Sequence, residues 1–563
     1  MPSSVRLFLA VVLVLFGAVT LILWWYDGPT STEMTPMIVV PQADGSANSK
    51  LQKAKAVQLF KDFHSQSASV RADSSAVVGG AAASYEIKSC LSPDLEMHER
   101  SSCRFHALVL DAGSTGTRLH AFEFSHEPHL KTGGGQFKLE SELFEEEKPG
   151  LSAYAADPAG AGRSVARLLD RARKAVPRAA WPHTPLTLKA TAGLRLLAEE
   201  TAERILDEVE SVFTSSPFLV SSESVSVMTG TDEGIFAWFT LNFLLDRLDV
   251  VLQQPEDLLK RTLQENLTAA ALDLGGGSTQ ITFRPLRSLN TLRDAPFLHD
   301  IHVFGEEVPL YTHSYLSNGL VAARLNILRD LTPLKAQRKG KLYSLCLPNE
   351  YKMTWSYNGQ NYTVKGSRGS SLDACLSAAR AFVLRSRLHA PSELAERQVY
   401  AFSYFFDRGL QAGLVSDETG GATTVAAYRE AAKTACSQSS FGPEHWRPWQ
   451  CLDLAYIYSL LSDGYQLPNE KRIFLSKKIR GMETSWALGA AYHLLNTYHE
   501  DHVANAKLRN TGGSAAGSTS PLLTAWSDLC SAYSTSNSTL FFYVCSRAHY
   551  GLYLLLNLGQ LLA

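Results

Sequence analysis

Two segments of the chain place an aspartate, a run of glycines and a pair of hydroxyls in the same order. The first is Ala107-Leu-Val-Leu-Asp111-Ala-Gly113-Ser114-Thr115-Gly116-Thr117-Arg118, and the second is Ala271-Leu-Asp273-Leu-Gly275-Gly276-Gly277-Ser278-Thr279-Gln280. Each reads as an apolar strand ending in Asp, a Gly/Ser/Thr turn, and a second alternating strand. Small residues in such a turn let backbone N–H groups surround phosphate oxygens, with hydroxyls beside them. The Asp at each strand end is placed to hold a hydrated divalent cation on those phosphates. Two copies about 160 residues apart point to two similar domains closing on one phosphate group.

Between the copies lie two more loops at strand ends, Lys189-Ala-Thr191-Ala-Gly193-Leu-Arg195 and Thr229-Gly230-Thr231-Asp232-Glu233-Gly234. Each combines a small residue with a glycine, so backbone can approach a ligand. The adjacent carboxylates Asp232 and Glu233 would ordinarily serve a helix N-terminus, where the dipole favours negative charge. Their position beside two phosphate loops makes them candidates for chemistry instead. The elements that hold these loops alternate: strand Leu186–Thr191, helix Glu199–Phe213, strand Ser224–Met228 and helix Gly234–Leu248. A second α/β region follows to about Leu475, and Gly481–Leu495 reads as a helix with a small-residue face. The charge cluster Glu140–Lys148 reads as a solvated surface segment.

At 563 residues the chain exceeds one core and should hold two domains with appendages. Lys+Arg 53 against Asp+Glu 55 leaves no basic footprint for nucleic acid. Leu7–Tyr26 is an apolar run long enough to span a bilayer. Arg6 precedes it and Asp27 and Glu33 follow, so the expected topology is type II, with everything after residue 26 lumenal or extracellular; a cleavable signal peptide is the competing reading. Three Asn-X-Ser/Thr sequons, at Asn266, Asn361 and Asn537, and an even set of eight cysteines fit that oxidising side. No Cys/His spacing suits structural zinc. Residues 27–103 read as a stem, and 501–563 as a C-terminal extension of unknown role.

The set Asp111–Arg118, Ala190-Thr-Ala-Gly-Leu-Arg195, Gly230-Thr-Asp-Glu-Gly234, Leu272–Gln280 and Glu483-Thr-Ser-Trp-Ala-Leu-Gly489 resembles the five apyrase-conserved regions. They stand in the order found in the ecto-nucleoside triphosphate diphosphohydrolase (apyrase) family, across residues 104–496. Tyr400-Ala-Phe-Ser-Tyr-Phe-Phe-Asp-Arg408 and Cys451-Leu-Asp-Leu-Ala-Tyr-Ile457 look like its Golgi and endoplasmic-reticulum nucleoside diphosphatases. The resemblance implies an α/β fold of the actin/sugar-kinase/heat-shock-ATPase type, two RNase H-like domains with an interdomain nucleotide cleft. The first would be residues 104–265, completed by 481–500, and the second 266–480.

The resemblance also implies roles. Glu233 would be the general base, Ser278 and Gln280 would position the attacking water, and the Thr191 hydroxyl would contact the terminal phosphate. Gly113, Ser114, Thr115, Gly116, Thr117 and Arg118, with Gly275, Gly276, Gly277 and Ser278, would bind phosphates. Asp111 and Asp273 would hold the water shell of Ca²⁺ or Mg²⁺. Phosphoryl transfer asks for this combination, since it needs charge neutralised on non-bridging oxygens and an in-line nucleophile. No Cys, Lys or His stands in the motifs as a covalent nucleophile, so direct hydrolysis is expected. Tyr404, Phe405 and Tyr456 are candidates to stack a nucleobase, a ring face being suited to it.

As in the organellar branch, Cys346 is expected to pair with Cys375 and Cys436 with Cys451, each bridge stabilising by about 3 kcal/mol in the chain-entropy model. Cys530 with Cys545 and Cys90 with Cys103 complete the set. The implied activity is removal of the terminal phosphate from UDP or GDP in the Golgi or endoplasmic reticulum. A broad-range apyrase, a sugar kinase or ATP-driven chaperone, and a non-catalytic binding module are the alternatives.

Overall fold

The computed structural model describes residues 103–127, 136–248, 268–285, 295–303 and 306–511. The apolar run Leu7–Tyr26, nearly all of the stem, most of the C-terminal extension, and Asn266, Asn537, Cys90, Cys530 and Cys545 lie outside the described residues. No described helix is long and apolar enough to cross a membrane.

The first lobe starts with β1 (Phe105–Ala112), β2 (Thr117–Glu127) and β3 (Gln136–Glu147). Helix α1 (Pro158–Ala175) follows, opened by Asp157, whose carboxylate accepts from Gly160 N–H at 3.0 Å with Pro158 at the first helical position. Then come β4 (Leu186–Ala190), a single helical turn Ala192–Arg195, α2 (Glu199–Thr214) and β5 (Val225–Val227). The sheet order is β3-β2-β1-β4-β5. β1, β2 and β3 are antiparallel neighbours, whereas β4 runs parallel to β1 and β5 to β4. β1 is flanked on both edges and covered on both faces, which is why it is almost continuously apolar.

Helix α3 (Gly230–Leu244) crosses to the second lobe, where it packs on three further strands. These are β6 (Ala270–Leu274), β7 (Ser278–Phe283) and, after β8 (Leu298–Val303), β9 (Glu306–Leu316). Helix α4 (Leu320–Asp330) leads to a small sheet of β10 (Lys341–Ser344), β11 (Lys352–Tyr357) and β12 (Gln360–Gly366). Next come α5 (Leu372–Arg385), β13 (Val399–Ser403), α6 (Tyr404–Gln411) and β14 (Gly421–Thr424). Helices α7 (Val425–Cys436) and α8 (Gln450–Ser459) precede β15 (Arg472–Leu475). The main sheet is ordered β14-β15-β13-β6-β7-β9-β8. Its centre repeats the first lobe: an antiparallel meander β6-β7-β9, with β13 parallel to β6 and β15 parallel to β13. A hairpin of β16 (Lys478–Ile479) and β17 (Met482–Glu483) then returns the chain to α9 (Ala487–Thr511), which packs on β1, β2 and β3.

Two expected helices are displaced. The one expected from Gly234 starts a turn earlier, because Thr229 caps it: its hydroxyl accepts from Asp232 N–H at 3.1 Å. Asp232 and Glu233 therefore lie inside the first turn. The one expected from Gly481 starts at Ala487, since Gly481–Glu483 are taken up in the β16–β17 turn and strand, and it runs on to Thr511.

The small-residue face of α9 meets α3. A side chain at Gly489 would lie 3.0 Å from Phe236 Cα, and the Gly489 N–H donates to the Thr240 hydroxyl at 2.8 Å. Around this crossing one apolar cluster joins both lobes, with Val109 and Phe122 from the first sheet, Ala271 and Phe402 from the second, and Trp238 and Trp486 between them. In the second lobe Cys346 pairs with Cys375 and Cys436 with Cys451, as the resemblance implied. Cys103 is also disulfide-bonded.

Candidate active site

The β1–β2 turn of one lobe and the β6–β7 turn of the other meet face to face. A side chain built on Gly276 would meet the Ser114 hydroxyl and lie 3.4 Å from the Thr115 methyl, so the two turns are in direct contact there. The carbonyls of Gly275 and Gly276 accept from Leu320 and Val321 N–H at 2.9 and 3.0 Å, at the start of α4, which turns them away from the cleft. Thr191 is buried at the end of β4, its N–H donating to Ala112 carbonyl at 3.2 Å, directly beside the first turn. Gly113, Gly116 and Thr117 are buried in that turn, while Ser114 and Thr115 are half-buried.

Glu233, in the first turn of α3, reaches this junction and is 6% exposed. Its Oε2 accepts from Gln280 Nε2 at 2.8 Å and is ion-paired with Arg195. Both contacts fall on Oε2, so Oε1 remains available to take a proton from a water. Gln280 Nε2 also lies 2.8 Å from Ser278 Oγ and 3.0 Å from Ser314 Oγ. Four residues expected at the chemistry, Thr191, Glu233, Ser278 and Gln280, are thus brought to the meeting point of the loops.

Asp111 and Asp273 close the site from opposite lobes, each at its strand's end. Asp111 Oδ2 is 3.3 Å from Arg118 Nη1, and Arg118 Nη2 is 3.2 Å from Glu146 Oε1. Arg118 is therefore held between two carboxylates, and part of the segment expected as plain surface serves the site. The Oδ1 atoms of Asp111 and Asp273 are buried with no hydrogen-bond partner, as is Gln280 Oε1. Buried acceptors are rarely left so. Two unpartnered carboxylate oxygens where the two glycine-rich turns meet are of the kind that a hydrated hard cation takes.

Burial sets the electrostatics. It pushes the Glu233 carboxyl up to about 7, with the negative charges of Asp273 and Asp111 adding and Arg195 opposing. It pushes Asp273 up to about 6, a Ser403 side-chain hydrogen bond opposing and Asp111 adding. Asp111 is raised by burial against the pull of Arg118 and His120.

Two residues of the site escaped the sequence reading. Arg195 lies in the Ala190–Arg195 motif, where nothing local marks its role, because its partner Glu233 is 38 positions away. Ser403 is held at φ 56, ψ −127, a strained conformation at the end of β13. Two expected residues are corrected. Phe405 is 0% exposed and Tyr456 1%, with the Tyr456 hydroxyl donating to the Asn318 carbonyl, so neither offers a ring face to a base. Tyr404 is half-buried at the start of α6, with the Arg408 guanidinium 5.3 Å from its ring centre. Asn361 is exposed on β12.

Residues 97–507 match the model of the GDA1/CD39 (nucleoside phosphatase) family, and the chain belongs to it. It is 44% identical to the nucleoside-diphosphatase uda-1 of Caenorhabditis elegans over 407 residues, which are 71% of this chain and 84% of that one. It is 39% identical to the nucleoside diphosphate phosphatase ENTPD5 of Homo sapiens, covering 71% of this chain and 90% of the relative. The fold is similar to a solved nucleoside triphosphate hydrolase of Neospora caninum, with a TM-score of 0.50 at 14% identity, over 73% of this chain and 95% of that one.

The raised carboxyls carry a stability consequence with a definite sign. Their folded-state ionisations lie above the unfolded ones, so stability is fully present below about pH 4 and is lost as pH rises towards about 6 for Asp273 and about 7 for Glu233. Asp273→Asn removes one buried charge. In chelator at pH 8 it should raise the melting temperature, by stabilisation on the order of a few kcal/mol, while activity is lost. A lower melting temperature at pH 8 would contradict this electrostatic reading.

Proposed function

We propose that the protein removes the terminal phosphate of nucleoside diphosphates by direct in-line attack of a water, yielding the monophosphate. The observation that carries this is the Glu233 carboxylate held on one oxygen by Arg195 and Gln280 at the contact of two glycine-rich turns. Glu233 Oε1 accepts the proton of the water, which the Ser278 hydroxyl and the Gln280 amide orient. Backbone N–H groups of the 113–116 and 276–278 turns take up charge on the phosphate oxygens, the Gly275 N–H donating instead to the Ser278 carbonyl at 3.0 Å, and the Thr191 hydroxyl contacts the transferred group. Arg118, braced by Asp111 and Glu146, adds a fixed positive charge beside the first turn. Asp111 and Asp273 are proposed to carry Ca²⁺ or Mg²⁺ through water, a reading supported by their unpartnered buried oxygens. A divalent cation there would supply charge neutralisation on the non-bridging oxygens.

Diphosphates are favoured over triphosphates because two relatives, 44% and 39% identical, carry nucleoside-diphosphatase names. A cleft that presents the second phosphate to Glu233 must push a third into protein. The setting we propose is the lumen of the Golgi or endoplasmic reticulum. Support comes from two disulfides in the second lobe, the exposed Asn361 sequon and the Leu7–Tyr26 run as an N-terminal anchor. Tyr404 remains the candidate aromatic beside the nucleoside.

Glu233→Gln keeps size and hydrogen bonding but removes the base, so kcat should fall about 10²-fold or more with little change in substrate affinity. A variant that kept a tenth of parental turnover would refute the general-base role. The substrate reading is checked by comparing kcat/KM for UDP and ATP at one Mg²⁺ concentration. UDP should be favoured by about 10²-fold, the size of effect expected when one phosphate is misplaced. A ratio at or below one would make the protein a broad-range apyrase.

A further inference from the structure

Helix α3 brings Glu233 to the cleft by lying on a row of polar side chains that β7 and β9 present together. The strand register pairs Gln280 with Ser314 and Thr282 with Thr312. Alternation along each strand puts Ser278, Gln280 and Thr282 on one face with Thr312 and Ser314. The helix meets that face through its glycines. A side chain on Gly230 would collide with Ser314, and one on Gly234 would lie 2.6 Å from the Thr282 hydroxyl and 2.7 Å from that of Thr312. Between these two glycines stands Glu233, bonded to Gln280.

The two cross-strand pairs differ. Thr282 and Thr312 are fully buried and share a hydrogen bond at 2.7 Å, so they satisfy each other. Ser314 is half-buried, and its hydroxyl oxygen lies 3.0 Å from Gln280 Nε2. That amide has two N–H groups but three oxygens within reach, since Glu233 Oε2 and Ser278 Oγ are each at 2.8 Å. An ionised Glu233 can only accept, so it takes one N–H and fixes which way round the amide lies. The second N–H falls to the two hydroxyls. Gln280 Oε1, at the other end of the amide, is buried and has no partner.

We propose that Ser314 is a positioning residue for hydrolysis. Its hydroxyl oxygen accepts the Gln280 N–H that Glu233 does not use. This holds the amide plane so that Oε1 accepts one proton of the attacking water while Glu233 Oε1 takes the other, and it leaves the Ser278 hydroxyl to that water. Ser314 lies on β9, outside the segments that carry the family resemblance, and the strand register is what connects it with them. The proposal rests on the in-line hydrolysis described above and adds the group that orients its glutamine.

The test uses the full-length protein with UDP and Mg²⁺ and compares the parent with Ser314→Ala and Ser314→Cys. Ser314→Ala should lower kcat about 10-fold, the size of effect expected of one neutral hydrogen bond, and leave KM within about two-fold. Ser314→Cys keeps a weak acceptor in a larger side chain, so its kcat should fall between parent and alanine. A role in packing against Gly230 predicts the opposite order, because the larger thiol would do more harm, and that order would overturn the proposal. Both melting temperatures should stay close to the parent's. A rate loss that tracks a fall in melting temperature would equally overturn it. A double-mutant cycle with Gln280→Ala decides the route. In that background Ser314→Ala should change kcat less than about two-fold, since no amide is left to hold. An undiminished loss there would show that Ser314 does not act through Gln280. Glu233→Gln, measured alongside, keeps the two claims apart. If it retained turnover the general-base reading would fall, while the cycle would still decide Ser314.

Discussion

Asp111, Glu233 and Asp273 are all nearly buried and within electrostatic reach of one another, and each is held more firmly protonated than in water because burial disfavours its charge. Such a group is unstable by itself, and much of the surrounding structure is arranged around it. Arg118 and Arg195 each face one of these carboxylates, and a Ser403 side-chain hydrogen bond opposes the rise at Asp273. These partners offset the cost only in part, and the unpartnered oxygens of Asp111 and Asp273 remain. That residue of unmet electrostatic demand is what the polyphosphate and its cation would meet, so the site is poised for substrate at the expense of the resting protein.

The duplication of the fold explains how three acids from separate stretches of chain arrive together. The lobes carry one strand plan each, and in both the first hairpin turn sits at the end of the strand that bears the aspartate. Helices α3 and α9 cross between the sheets at Gly489 and Thr240 and share one apolar cluster with both. Because α3 starts at the cleft and is rooted in that shared core, Glu233 keeps a defined position relative to both turns. Under the proposed mechanism that fixed position sets the distance from base to phosphate.

What could be read from the sequence was what short-range chemistry encodes. The two turns announced themselves because Asp followed by Gly, Ser and Thr after an apolar strand leaves few other structures open. That two similar domains meet at these turns followed from their spacing and from the resemblance, whereas the strand order and pairing sense came only with the structure. Errors arose where two physical rules competed. Periodicity placed the start of α3 at Gly234, whereas the capping hydroxyl of Thr229 started it at Gly230. Phe405 and Tyr456 have the composition of either a stacking pair or a core, and burial, which only the tertiary fold decides, made them core. Arg195 was invisible as a partner of Glu233 because nothing local links them.

The central claim is a single displacement at phosphorus by a water that Glu233 deprotonates. The stereochemical course at the transferred phosphorus tests it most directly. A nucleoside diphosphate made chiral at its terminal phosphorus with sulfur and ¹⁸O would be hydrolysed in H₂¹⁷O, and the configuration of the released thiophosphate determined. Direct attack predicts inversion. Retention would require an even number of displacements, hence a phosphorylated enzyme, and would contradict the account.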